Sequence, residues 1–169
     1  MAIRLLLLIL ALPTAAQGAI GQIPFVKAEL SSTLSDYDAK YAIDGNYGGI
    51  MAHSNCNNKG EEIWMKLWFR RPVWIDHFTI YPSHTANYNY YRFQGARLYI
   101  EHSGLERYCD TLTLDSWKTS HELSCGVVLG EVVVLRLTRD NKDACIHVYE
   151  IEAFGEYMEG NWVVCLLVC

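Results

Sequence analysis

Short apolar and β-branched runs, each stopped by a turn signal after about four to eight positions, recur along most of this chain of 169 residues. The first is Ile63-Trp-Met-Lys-Leu-Trp-Phe69, followed by Arg70-Arg71-Pro72, which reads as a turn, and by Val73-Trp-Ile75. Phe78-Thr-Ile-Tyr81 follows and ends at Pro82. Arg97 to Ile100, Thr111 to Leu114, Glu131 to Thr138 and His147 to Phe154 complete the set. Leu135-Arg136-Leu137 alternates as a half-buried strand does, whereas Val132 to Val134 reads as buried on both faces. Beyond the first residues no stretch has helical periodicity. The pattern predicts an all-β fold, an antiparallel β-sandwich with its first and last mature strands close together. Pro72 and Pro82 fall at predicted strand ends, where a missing N–H does least harm.

The N-terminus has a different grammar. Arg4 supplies a positive charge, Leu5 to Leu12 is uninterrupted and apolar, Pro13 breaks the run, and Ala16-Gln17-Gly18 places small residues at the two positions a signal peptidase reads. A span would need about 20 apolar residues. Residues 1–18 therefore read as a secretory signal peptide and not as a transmembrane segment. Residues 19–155 form one domain, and 156–169 a short apolar tail. All six cysteines lie after the signal and fit an oxidising, extracellular compartment. Cys109 and Cys125 flank a strand-like run and are the natural local pair. Cys165 and Cys169 have each other or a second chain as partners, which keeps a homo-oligomer open. His53-x-x-Cys56 has the form of half a zinc site, but no second Cys/His pair has ligand spacing, so a disulfide is expected there.

The net charge is −5 with no basic block, so nucleic acid is not expected as a partner. Enzyme readings also fail. Ser83-His84 and Ser120-His121 are adjacent residues whose side chains diverge on a strand, Glu61-Glu62 reads as a solvated turn, and no nucleophile elbow, phosphate loop or paired metal motif is present.

Function is therefore expected in loops. Around Tyr88, Tyr90 and Tyr91, residues Asn87 and Asn89 alternate with rings, and Arg92 closes the run. Tyrosine offers a flat face for the C–H side of a sugar, and Asn and Arg offer directed hydrogen bonds to its hydroxyls. Elsewhere Asp44-Gly45-Asn46 places two oxygen-bearing side chains around a glycine that permits a tight turn, and Glu150 stands at the head of the last strand. Together they would make an oxygen cage for a hard cation such as calcium. Cys56 and Cys145 flank the two halves of that cage, so a bridge between them would pin it.

These pieces, in order, resemble the F-type lectins (fucolectins), which are galactose-binding-like, jelly-roll sandwiches. The resemblance covers Lys27 to Gly155 and is carried by Ser31-Ser32-Thr33, Ala42 to Asn46, the Cys56 region, the Trp-bearing strand Ile63 to Phe69, Arg92-Phe-Gln-Gly-Ala96, the Cys109/Cys125 pair and Tyr149-Glu-Ile-Glu-Ala-Phe-Gly155. It implies calcium held by the Asp44 and Asn46 side chains, the Tyr41 and Tyr149 carbonyls and the Glu150 carboxylate. Asn55 stands where the family has a serine ligand. The sugar motif departs. The family grips fucose with a histidine and two arginines, but here Asn58 replaces the histidine, Ser83 or its neighbour replaces the first arginine, and a vicinal cysteine pair is missing. Arg92 alone matches, and His53 precedes the cysteine where some members have a histidine. Trp68 replaces an acidic residue of the family's strand. The family's late cysteine would fall at Tyr149, four residues after Cys145. The resemblance thus implies a secreted calcium-dependent module for glycans, fucose-containing or altered. The alternative is an adhesion module that keeps the scaffold and binds protein or lipid surfaces.

Overall fold

The computed structural model describes residues 19–56, 61–83, 90–115, 118–138 and 144–158. Residues 1–18, Asn58, the side chains of Tyr88 and Tyr90, and Cys165 and Cys169 lie outside that description. Among the described residues there are eight strands, two short 3-10 turns and no α-helix. The strands are β1 (Gly21–Ile23), β2 (Phe25–Leu30), β3 (Ala52–His53), β4 (Glu62–Pro82), β5 (Arg97–His102), β6 (Leu105–Thr111), β7 (His121–Thr138) and β8 (His147–Tyr157). All pairings are antiparallel, in the order β1-β8-β4-β7-β5-β6, with β2 on β4 and β3 on β8.

Two long strands build both layers of the sandwich. The first half of β4 pairs Glu62–Trp68 with the last part of β7, and its second half pairs Val73–Ile80 with the first part. The ladder is interrupted between Trp68 and Val73, where the strand passes from one layer to the other. This corrects the sequence expectation that Arg70-Arg71-Pro72 is a turn separating two strands. A proline without an N–H and a pair of arginines suit such an interruption as well as they suit a loop. Arg71 lies over the Tyr157 ring, 4.5 Å from its centroid.

The side-chain alternation records a second irregularity. Ile63, Met65, Leu67, Phe69, Val73 and Ile75 point inward at odd positions, then Phe78 and Ile80 do so at even ones. One extra residue shifts the parity, and the register breaks between Ile75 and His77 on both neighbouring strands. With Leu98, Ile100, Val133, Leu135, Ile151 and Ala153, these side chains form one core. Burying each large aliphatic side chain contributes roughly 1.5–3 kcal/mol.

The first and last strands do meet, with Gly21 opposite Gly155. Val132, Val133 and Val134 are buried as expected. The strand predicted at Thr111 to Leu114 instead ends at Thr111, because β6 is an exposed edge strand carrying Glu106, Arg107 and Tyr108 rather than an apolar alternation. Both expected disulfides are present: Cys109–Cys125 ties β6 to β7, and Cys56–Cys145 joins the segment after β3 to the segment before β8.

Candidate functional site

The turn at residues 44–46 is built locally. Asp38 caps a 3-10 turn over Ala39–Ala42 by accepting from the Lys40 N–H, and Ala39 and Ala42 seal it against the core. Tyr41 belongs to this turn, its N–H bonded to the Asp38 carbonyl. The Asp44 carboxylate then accepts from the Asn46 N–H at 2.9 Å, and the Asn46 side-chain oxygen accepts from the Gly48 N–H at 3.2 Å. Gly45 sits at φ 77°, left-handed backbone that an L side chain rarely adopts.

Strand β8 closes the site from the other side. Glu150, opposite Tyr81 on β4, is 4% exposed, and its Oε2 accepts from the Gly45 N–H at 2.9 Å. Sequence separation between these two is 105, so the fold has joined what the sequence proposed as two halves of one cage. Burial pushes the Glu150 carboxyl up to about 7, against the opposing hydrogen bond from Gly45, and the charges of Asp44 and Glu152 push the same way. Carboxylates crowded and desolvated in this manner are what a hard divalent cation relieves.

Glu152 was not among the expected residues, although the alternation of Tyr149-Glu150-Ile151-Glu152 places it on the same face as Glu150. It is 8% exposed and its oxygens accept from the Tyr47 hydroxyl at 2.6 Å, the Gln22 amide at 3.1 Å and the Tyr81 hydroxyl at 3.0 Å. Those bonds satisfy its charge with neutral donors. The Tyr47 phenol is pushed up to about 12, chiefly by its bond to Glu152. Tyr81 is also raised, first by burial and then by the same carboxylate. The two rings meet edge to face with centroids 4.6 Å apart. Glu152 thus braces the wall of the site, while Glu150 faces the turn.

Asn55 is placed elsewhere. Its N–H is bonded to the Ser32 hydroxyl, and it lines a hollow of about 380 Å³ with Ser31, Ser32, Glu61, Glu62, Ile63 and Trp64. The ladder explains this. Ala52 pairs with Val148 and His53 with His147, so continuing the register puts Met51 opposite Tyr149 and leaves Asn55 five positions along from Glu150's partner.

The loop end of the molecule is organised by Phe93 and the Cys56–Cys145 bridge. Phe93 is fully buried in the 3-10 turn Tyr90–Phe93, and the Cys145 N–H donates to the Arg92 carbonyl at 3.1 Å. Arg92 is therefore half-buried on a fixed mount, and Tyr91 beside it is 60% exposed. His53, expected on the binding face, is 5% exposed and packs inward. Its Nδ1 lies 2.6 Å from the Ser54 carbonyl, its ring stacks on His147 at 5.6 Å, and burial lowers its pKa, helped by the charge of Arg92. The pairing of His53 with the buried His147 across β3 and β8 explains the correction. Ser83 is likewise buried, with its N–H on the His147 carbonyl.

No protein-family model matches the chain, and no curated protein matches its sequence. Solved structures do match in shape. The module CpGH89CBM32-5 from Clostridium perfringens, in complex with GalNAc-β-1,3-galactose, superposes with a TM-score of 0.67 at 19% identity, covering 80% of this chain and 100% of that one. The chain has the galactose-binding-like β-sandwich fold. A fucolectin from Morone saxatilis (striped bass) serum matches with a TM-score of 0.66 at 19% identity, over 79% of this chain and 46% of the fucolectin. A fucose binding module of Streptococcus pneumoniae matches at 0.63 and 16% identity, over 77% and 91%. No helix among the described residues is long and apolar enough to cross a membrane.

Proposed function

We propose that this galactose-binding-like domain is a secreted, non-catalytic, calcium-dependent carbohydrate-binding module whose sugar preference differs from the fucose pattern. The observation that carries the calcium reading is the buried Glu150 carboxylate held under the Asp44-Gly45-Asn46 turn, with its pKa raised to about 7 by burial and neighbouring carboxylates. The residues that would hold the ion are Asp44, Asn46 and Glu150, with the Tyr41 and Tyr149 carbonyls. Asn55 has no place in that set. The ion supplies charge compensation, and it would cross-link the turn to β8.

The carbohydrate reading draws support from three structural neighbours: a fucolectin, a fucose binding module and a module solved with GalNAc-β-1,3-galactose. On this chain the groups available to a sugar are Arg92 and Tyr91, with Tyr88 and Tyr90 as their sequence neighbours. A planar guanidinium on a fixed mount can bridge two adjacent hydroxyls, and an exposed ring can stack on the sugar's apolar face. With Asn58 at the histidine position and Ser83 or its neighbour at that of the first arginine, Arg92 alone remains of the fucose-gripping set, which is why altered specificity is the reading. A glycan array run with calcium and with EDTA is the test. Binding to a defined sugar class that EDTA removes is the expected result. Uniform absence of glycan binding in calcium would leave the adhesion reading instead.

A further inference from the structure

Away from the carboxylates, the fold assembles a second group of metal-ligating side chains. His53-x-x-Cys56 lacks a partner pair at ordinary zinc spacing in the sequence, but β3 lies against β8 with His53 opposite His147, which brings Cys145-x-His147 alongside. The ligand atoms of His53, Cys56 and Cys145 lie within 4.8 Å of one another, and the His147 ring stacks on His53 at 5.6 Å. In the structure the two sulfurs are joined to each other. We propose that reduction of Cys56–Cys145 turns this cluster into a zinc-class metal site, with Cys56, Cys145 and His53 as ligands and His147 as the fourth.

The chemistry balances with a dithiol reductant. Its two thiols are oxidised to a disulfide as the Cys56–Cys145 bond accepts two electrons and two protons. A divalent cation then displaces both thiol protons to solvent and takes the two thiolates. Two thiolates and a dication sum to zero charge, so the centre is compatible with the buried setting of His53, Cys145 and His147. Thiolate and imidazole donors select zinc-like ions over calcium, so this site and the oxygen cage do not compete. Zinc-to-sulfur and zinc-to-nitrogen bonds of about 2.0–2.3 Å require the His53, Cys56 and Cys145 donors to close in by roughly 1 Å, a motion side-chain rotation supplies once the bridge is open, while His147, outside that trio, has to turn toward it. The Ser54 carbonyl beside His53 Nδ1 orients the ring, the role a carbonyl plays behind a metal-bound histidine. Because the Cys145 N–H also holds the Arg92 carbonyl, the exchange takes place directly beneath the mount of Arg92.

Cobalt(II) is the probe, because thiolate ligation gives it a charge-transfer absorption and four-coordination gives intense visible bands. The full chain is reduced with a phosphine, desalted without oxygen and titrated with cobalt in buffer containing calcium. One equivalent should produce both features, zinc should bleach them, and unreduced protein should show neither. Cys56→Ser and Cys145→Ser should abolish the charge-transfer band, Cys109→Ser should retain it, and His53→Ala should weaken binding about ten-fold or more. A folded reduced protein without the band, or a band surviving Cys56→Ser, overturns the site, and a His147→Ala spectrum identical to the parent's removes His147 from it. Should circular dichroism show that reduction unfolds the chain, one equivalent of zinc restoring the β-signal supports the proposal, and failure to restore it overturns it.

Discussion

Glu150→Gln separates the cation reading from a purely structural one, because the two predict opposite signs. In metal-free protein the folded state holds the Glu150 carboxyl at about 7, above its ordinary 4.5. A raised carboxyl makes folding most favourable below the unfolded value, and that advantage is lost as pH rises through about 7. At about 1.4 kcal/mol per pH unit, ionising Glu150 in the folded protein costs up to about 3 kcal/mol at pH 8. Glutamine has nearly the same shape, can accept from the Gly45 N–H through its amide oxygen, and carries no charge. In EDTA at pH 8 the variant should therefore melt higher than the parent, by about 5–10 °C for a domain of this size. Near pH 4.5 the difference should vanish, since the parent is then largely protonated. Adding calcium should reverse the order at pH 8, because mass action stabilises a parent that binds and not a variant lacking the anionic oxygen. Differential scanning calorimetry at the two pH values, with calcium and with EDTA, reads all four conditions. A variant that is less stable than the parent in EDTA at pH 8, or one that keeps the full calcium-induced rise, refutes the reasoning.

Asp44→Ala should likewise remove the calcium-induced rise in melting temperature, whereas Asn55→Ala should leave it intact, measured in the same calorimeter. Peptide mapping of the unreduced protein should recover Cys109 linked to Cys125 and Cys56 linked to Cys145. Removing the first bridge, with 16 residues of separation, should cost about 3 kcal/mol in urea titrations. Gly155→Ala should destabilise by roughly 1–3 kcal/mol or more, since a Cβ there meets the Trp74 carbonyl of the main chain, while Gly48→Ala, with open space around it, should be near neutral. Arg92→Ala should lower any glycan affinity by about 1.5–3 kcal/mol in calorimetric titration and leave the melting temperature within a degree or two.

What the sequence made legible depended on whether the signal was periodic. The alternation at Leu135-Arg136-Leu137 and the buried valines of β7 follow from side-chain parity, which the sheet imposes directly, and the adjacency of first and last strands follows from the sandwich they imply. The passage through Arg70-Arg71-Pro72 was not legible, because a proline and two charges mark an interrupted ladder and a chain reversal equally well. Only the pairing of both halves of β4 with one strand, β7, distinguishes them. Edge strand β6 was misplaced for a related reason: an exposed strand needs no apolar face, so its charged residues carry no period. At the site, the Asp44-Gly45-Asn46 turn and Glu150 were paired in the sequence as oxygen donors, and the fold brings them together through the Gly45 N–H. Glu152 was available from parity alone, whereas the burial of His53 and the pairing of the Asn55 N–H with Ser32 depend on a register that spacing does not encode.

That register also separates two supports that the resemblance to the fucolectins would join. Cys145 stands just before strand β8, which carries His147 at its start and Glu150 and Glu152 further on. In the resemblance the late cysteine would stand at Tyr149, next to the carboxylate, so one bridge would brace the cage. Here the bridge is four residues earlier, where the Cys145 N–H holds the Arg92 carbonyl and the neighbouring His147 ring packs on His53 and Phe93. The cage is left to its own bonds: Gly45 to Glu150, and Tyr47, Gln22 and Tyr81 to Glu152. Separating the two supports means that the loop end can vary its side chains without moving the oxygens around Glu150. A cage braced this way should keep its calcium response when the Cys56–Cys145 bridge is removed, although the protein as a whole would be less stable. A cage braced by the bridge would lose that response together with it.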